Sequence, residues 1–315
     1  MEPSLIFIIP YRNREPQKEF FLRHMKYILE DFKNEYYEIV IAHQCDNRNF
    51  NRGAMKNIGF QYIKNKYPRS YKTMTFIFND VDTIPYKKNL IDYKTGYGKI
   101  KHFYGFEYAL GGIFSISGND FEILNGFPNF WGWGCEDNVI NDRATRNGIY
   151  ISRKNFFNIG DSKILHLFDG YIKPTDTSNP YLTKNDNGSF GLNTLTDIKF
   201  DIDMCNSEDG LLQHTMVNIN NFNCEVEHNN DNIRMIDIRK GNRLKITIPK
   251  NKEISGIINN NDNSNDNCND NSKCVNNKCK MKSNNSIRPI YNIPNSQIDK
   301  RVYSNKTNKL MFSFK

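Results

Sequence analysis

Two acidic stretches hold most of the chemistry this chain could do. The first is FNDVDTIP, Phe78 to Pro85, in which Asp80 and Asp82 flank Val81 at the end of an apolar run. Two carboxylates held together repel unless a cation sits between them or one is protonated. A hard divalent ion carrying a diphosphate meets that need, one carboxylate taking the metal and the other a ribose. A solvated turn after a strand is the plainer reading. The second stretch is NGFPNFWGWGCEDNVINDR, Asn125 to Arg143. Here Trp131 and Trp133 stand among glycines and are followed at once by Glu136 and Asp137. Glycine hinges beside an indole describe a lid that closes on a sugar ring. A carboxylate carried into a water-poor site can take a proton from a hydroxyl. The same residue types also suit two core tryptophans and two surface acids.

Two further groups belong with these. PYRNRE, Pro10 to Glu15, sets Arg12 and Arg14 on either side of Asn13. Guanidinium forks match phosphate oxygens and base carbonyls, although a polar loop with surface arginines has the same composition. The loop contains no glycine, which argues against the triphosphate cradle of a nucleotidyltransferase. His166, in KILHLFD, follows a short apolar run and could complete a metal site. A lone histidine more often serves structure.

The elements that must position these groups are legible in the apolar pattern. Leu5–Pro10, Tyr37–Gln44 and Met74–Asp82 read as buried strands, and Glu15–Lys33 and Asn51–Lys66 read as amphipathic helices. Strand, helix, strand, helix, strand predicts an α/β fold with a parallel sheet and crossover helices. Ligands of such sheets bind beyond the carboxyl ends of the strands. Tyr11–Arg14, Asn51–Arg52 and Asp80–Asp82 all fall there. In a strand running to Asp82, alternation would point both aspartates the same way.

Composition narrows the class. Mean hydropathy is −0.70, and no apolar run approaches the roughly 18 residues of a membrane span. The first apolar run is too short for a signal peptide, so a soluble, cytoplasmic protein is expected. The seven cysteines include a late C-x5-C-x4-C spacing that fits no common zinc pattern, and reduced thiols are expected. Residues 1–220 carry 26 basic and 26 acidic side chains, whereas residues 221–315 carry 17 and 9. Asn and Asp dominate the stretch that follows Ile219, so the division is drawn at residue 220, between a catalytic domain and an Asn/Lys-rich basic extension. The extension's Asn-rich run reads as disordered, and RLKITIPK, Arg243 to Lys250, reads as a strand. Such a tail can touch an anionic surface or be merely solvated; nucleic acid is not expected as a partner.

Taken together, these stretches resemble the beta-1,4-galactosyltransferase family of inverting, metal-dependent glycosyltransferases. The resemblance runs in order over residues 4–220, through IIPYRNRE, FNRGAMKNIGFQ, FNDVDTIP, LGGIFSISGNDFEILNGFPNFWGWGCEDNVINDR and GLNTL. It implies a GT-A type fold, a nucleotide-sugar-binding α/β domain with a mixed sheet. It implies a UDP-sugar donor held by Pro10, Tyr11, Arg12, Arg14, Phe50, Arg52, Asp80, Val81, Lys99, Gly111, Gly112 and Trp133. It also implies Mn2+ on Asp82 and His166, Asp137 as general base, and Glu136 beside a glycan acceptor. Departures from the family pattern are Asn138 for a third acid, Cys135 before the acidic pair, and Lys163 and Phe168 where a second metal ligand near His166 would stand. Ala109 occupies the place of a tyrosine that crowds the sugar C2 substituent, so the donor stays open among UDP-Gal, UDP-GalNAc and other UDP-sugars. A binding module that keeps this fold without turnover is the alternative. The richness in Asn, Ile and Lys is compatible with a protist or a large virus.

Overall fold

The computed structural model of the chain describes residues 2–206 and 210–240. Thirteen strands run β1 (Leu5–Tyr11), β2 (Tyr37–Gln44), β3 (Thr75–Asn79), β4 (Thr83–Pro85), β5 (Lys99–Gly105), β6 (Ile113–Ser117), β7 (Tyr150–Ser152), β8 (Phe157–Asn158), β9 (Ile164–His166), β10 (Ile172–Asp176), β11 (Thr196–Cys205), β12 (His214–Asn223) and β13 (Ile233–Asp237). The helices are α1 (Glu15–Ile28), α2 (Arg52–Lys66), α3 (Gly118–Ile123), α4 (Glu136–Arg146) and α5 (Asn179–Lys184). The main sheet is ordered β11-β12-β2-β1-β3-β6-β5-β7, with β8 also on β5. Strands β12, β2, β1 and β3 are parallel, while β6 and β11 run antiparallel to their neighbours. The sheet is therefore mixed, as the resemblance implied.

Apolar side chains on both sides of β1 explain why it sits at the centre. Ile6 and Ile8 pack with Ala54, Met55 and Ile58 of α2, while Phe7 and Ile9 pack with Phe21, Leu22 and Met25 of α1. A strand covered on both faces reads as a continuous apolar run. Helix α1 starts where Pro16 presets φ in its first turn and closes with Leu29 N–H donating to Met25 O at 2.9 Å, several residues before the expected end at Lys33. Asn51 caps α2, its side chain accepting from Ala54 N–H at 2.9 Å.

Two expectations change. The third strand ends at Asn79, and Asp80–Asp82 form a turn. Asn79 Nδ2 holds that turn by donating to the carbonyls of Asp80 and Thr83, each at 2.8 Å. The division drawn at residue 220 falls inside β12, which lies within the main sheet between β11 and β2. Beyond it, Val226, Ile236 and Ile238 are buried and β13 pairs with β10, so the folded unit reaches residue 240. The Asn-rich run, the strand expected at Arg243–Lys250 and most of the basic tail lie outside the described residues. Among the described residues, no helix is long and apolar enough to cross a membrane.

Candidate active site

The carboxyl ends of β1 and β3 and the entry to α2 converge on one cavity of about 330 Å³. Pro10, Arg12 and Arg14 reach it from the end of β1, Phe50 and Arg52 from the start of α2, and Asp80 and Val81 from the turn after β3. Trp133 closes it on the far side. Trp133 also borders a second, smaller cavity of about 50 Å³ that contains Ala109, Gly111, Gly112, Asp137, Asn138 and His166. The half-buried indole is thus a wall common to both.

The two tryptophans divide the readings offered by sequence. Trp131 is core: it is buried, stacks on Phe222 at 5.5 Å, and donates its Nε1–H to Val226 O at 2.6 Å. Trp133 is the one that faces ligand space. The loop backbone is stitched on both sides, Gly132 N–H donating to Phe50 O at 3.0 Å and Trp133 N–H to Pro174 O at 2.7 Å.

Charges pair across the site. Arg52 spans three acids: it bonds Glu136, donates to Asp137 Oδ2 at 2.8 Å and reaches Asp80 Oδ2 at 3.5 Å. Burial alone would lower its guanidinium, but Asp137, Glu136 and Asp80 outweigh burial and hold it firmly charged. Burial pushes the Glu136 carboxyl up, against the pull of Arg52. Lys56, one turn further along α2, donates to Asp137 Oδ1 at 2.9 Å. Both acids lie in the first turn of α4, where the helix dipole favours negative charge.

Asp82 and Asp80 face different partners, because the turn replaces the alternation of a strand. Asp82 is fully buried and accepts from Arg14 Nη1 at 2.8 Å. The β4–β9 ladder pairs Thr83 with His166 and brings His166 Nε2 to 4.0 Å from Asp82 Oδ2. His166 Nδ1 lies 2.8 Å from the Tyr104 hydroxyl, which fixes the ring. A carboxylate oxygen and an imidazole nitrogen are donor types that a divalent ion such as manganese accepts. Among the described residues, no group of three or more His, Cys, Asp or Glu forms a metal cage, and Asp82 and His166 stand there as a pair.

Buried Glu136, expected beside the acceptor, lines neither cavity, and two of the residues assigned to the donor lie elsewhere. Tyr11 alternates away from the cavity: its ring packs on His43 at 4.9 Å and its hydroxyl donates to Glu15 at 2.8 Å. Lys99 is exposed at the opening end of β5, six residues before Gly105, or roughly 20 Å at strand rise. Sequence reasoning also missed three cations. Arg48 and Lys173 line the larger cavity, and Lys56 lies buried beneath Asp137. Arg48 and Lys173 follow segments with no motif, whereas the four-residue spacing of Arg52 and Lys56 was a usable signal for one helix face.

Known proteins share this chain's sequence pattern and fold. Residues 2–94 match the N-terminal region of glycosyl transferase group 7, and residues 94–166 match the N-terminal domain of galactosyltransferase. The chain belongs to the beta-1,4-galactosyltransferase family. It is 31% identical to human beta-1,4-galactosyltransferase 1 over 207 residues, covering 61% of this chain and 50% of that one. It is 28% identical to Drosophila melanogaster beta-1,4-galactosyltransferase 7 over 184 residues, 55% of each. It spans about half the length of these relatives. The fold is that of the catalytic domain of Drosophila beta-1,4-galactosyltransferase 7 in complex with xylobiose, with a TM-score of 0.59, 22% identity, and coverage of 71% of this chain and 95% of that one. A mutant of the same enzyme, in complex with manganese, UDP-Gal and xylobiose, aligns with a TM-score of 0.58 and 20% identity.

Proposed function

We propose that this galactosyltransferase-family chain moves galactose or N-acetylgalactosamine from a UDP-sugar to a hydroxyl of a glycan acceptor, with inversion to a β linkage. The observation that carries the reading is the shared indole. Trp133 separates a cavity lined by Arg12, Arg14 and Arg52 from one that holds Asp137. The first suits a nucleoside diphosphate; the second suits an acceptor presented to a base.

In this reading Asp137 takes the acceptor's hydroxyl proton. The oxygen then bonds to the sugar C1 as the C1–O bond to the diphosphate breaks, and that electron pair leaves on UDP. Asp82 and His166 would hold a divalent ion such as Mn2+, which when bound would offset charge growing on the leaving diphosphate. Buried Ala109 borders the second cavity, and in this reading its small side chain would leave room for the substituent on the transferred sugar's C2.

The test is calorimetric binding of UDP, UDP-Gal and UDP-GalNAc with and without Mn2+, followed by UDP release with sugar acceptors. Mn2+-dependent binding and acceptor-dependent release are expected. Asp137→Asn should lower turnover by roughly 10²–10⁴ while UDP still binds. A variant that turns over at the parent rate would remove Asp137 from the role of base. UDP binding with no turnover on any donor would favour a binding module instead.

A further inference from the structure

Asp137 carries two ion pairs of unequal access. Lys56 holds Oδ1 at 2.9 Å with a side chain only 2% exposed, and its ammonium lies 4.3 Å from the Phe127 ring centroid. Lys56 lines neither cavity. Arg52 holds Oδ2 at 2.8 Å, is 13% exposed and lines both cavities. A buried ammonium that left its carboxylate would strand two charges. A guanidinium on a cavity wall can exchange a carboxylate for a diphosphate, whose oxygens fit its fork. Oδ2 also lies on the Gly111 side, which borders the second cavity: a Cβ on Gly111 would stand 2.6 Å from it.

We propose that Lys56 is a positioning residue for the base. It holds Asp137 by Oδ1 throughout, while Arg52 caps Oδ2 until a bound nucleoside diphosphate draws the guanidinium off. Oδ2 is then the atom that accepts the acceptor's proton, and it becomes available only after the donor is in place. This rests on reading Asp137 as the base.

Two substitutions test it. Lys56→Met keeps length and apolar packing and should lower kcat about 10- to 100-fold, the scale of a misplaced catalytic group, with UDP affinity unchanged. Lys56→Gln packs worse but keeps an N–H donor for Oδ1, and should recover part of that kcat. A methionine variant with parent kcat, or one faster than the glutamine variant, would make Lys56 a packing residue and overturn the proposal. If neither variant binds UDP, a crystal structure of the parent with UDP and Mn2+ decides. Lys56 still on Oδ1 with Arg52 on the diphosphate is expected; Arg52 still on Oδ2, or Lys56 displaced, sinks the idea. A parent with no transfer activity fails the transferase reading and takes this inference with it, whereas an active parent with an unaffected Lys56→Met fails this inference alone.

Discussion

A glycine decides whether Asp137 can stand where it does. At Gly111 a methyl group would meet the carboxylate at 2.6 Å, closer than non-bonded carbon and oxygen approach. Gly111→Ala should therefore cost roughly 10- to 100-fold in kcat by displacing the base with little change in UDP affinity, as read by UDP release and calorimetry. On the donor side, His166→Gln is expected to weaken the Mn2+-dependent part of UDP binding by about tenfold or more, measured as the difference between titrations with and without metal. At this scale the acids and the first arginines were legible, because type and spacing together restrict what they do. Lys56 was passed over: its four-residue spacing from Arg52 put both on one helix face, but a lysine there reads as solvated until the helix is known to lie over the sheet. Tyr11 was placed by its position at a strand end and Lys99 by the resemblance alone, and strand alternation and strand length carry them away from the cavity.

Helix α4 delivers both acids, and its far end is anchored by one buried arginine. Arg143 pairs with Asp186 at 2.5 Å and donates to the carbonyls of Leu124, Gly126 and Phe190 at 3.3, 3.0 and 2.7 Å. Arg143→Met leaves three carbonyls without their donor, while Arg146 still reaches Asp186 Oδ2 at 2.6 Å, so a loss of about 1–3 kcal/mol is expected in chemical denaturation. Strand β5 supports the opposite wall through His102, whose Nε2 lies 3.0 Å from Tyr104 O and 3.1 Å from Gly111 O while Arg153 Nε donates to its Nδ1 at 3.1 Å. Burial, with the Arg153 charge, lowers this imidazole to about 3. The unfolded chain then takes up a proton near pH 6.5 that the folded chain refuses, so stability falls as pH drops from about 6.5 towards 3, by up to roughly 1.4 kcal/mol per pH unit. His102→Gln should flatten the dependence of Tm on pH across that window. The five opening elements could be read because the apolar pattern switches cleanly between short buried runs and helical spacing. The turn at Asp80–Asp82 could not, because it is held by the Asn79 side chain rather than by any glycine or proline.

Across the whole molecule, the sequence drew the domain boundary too early because a polar composition was taken for a linker. Asn218, Asn220 and Asn223 bond Asp203, Asp201 and Asp197 across the β11–β12 pair, so the asparagines there are sheet residues with a polar face. The segment after β12 also braces the donor side. Asn49 N–H donates to His228 Nε2 at 3.1 Å, and Asn129 Nδ2 donates to Glu225 at 2.8 Å. A chain ended at residue 240 should keep UDP affinity, whereas one ended at residue 220 should lose it together with cooperative unfolding; calorimetry and thermal melting of the two truncations check this. The position of β12 also has a consequence for biosynthesis. A ribosome has released Asp82 and Asp137 well before it finishes the strand that lies beside β2 and the His228 that fastens the Asn49 loop. Contacts this distant in sequence form late and slowly. The acids of the site are thus held for a time on an unfinished sheet, and the nascent chain gains its nucleotide pocket only once β12 and His228 have emerged.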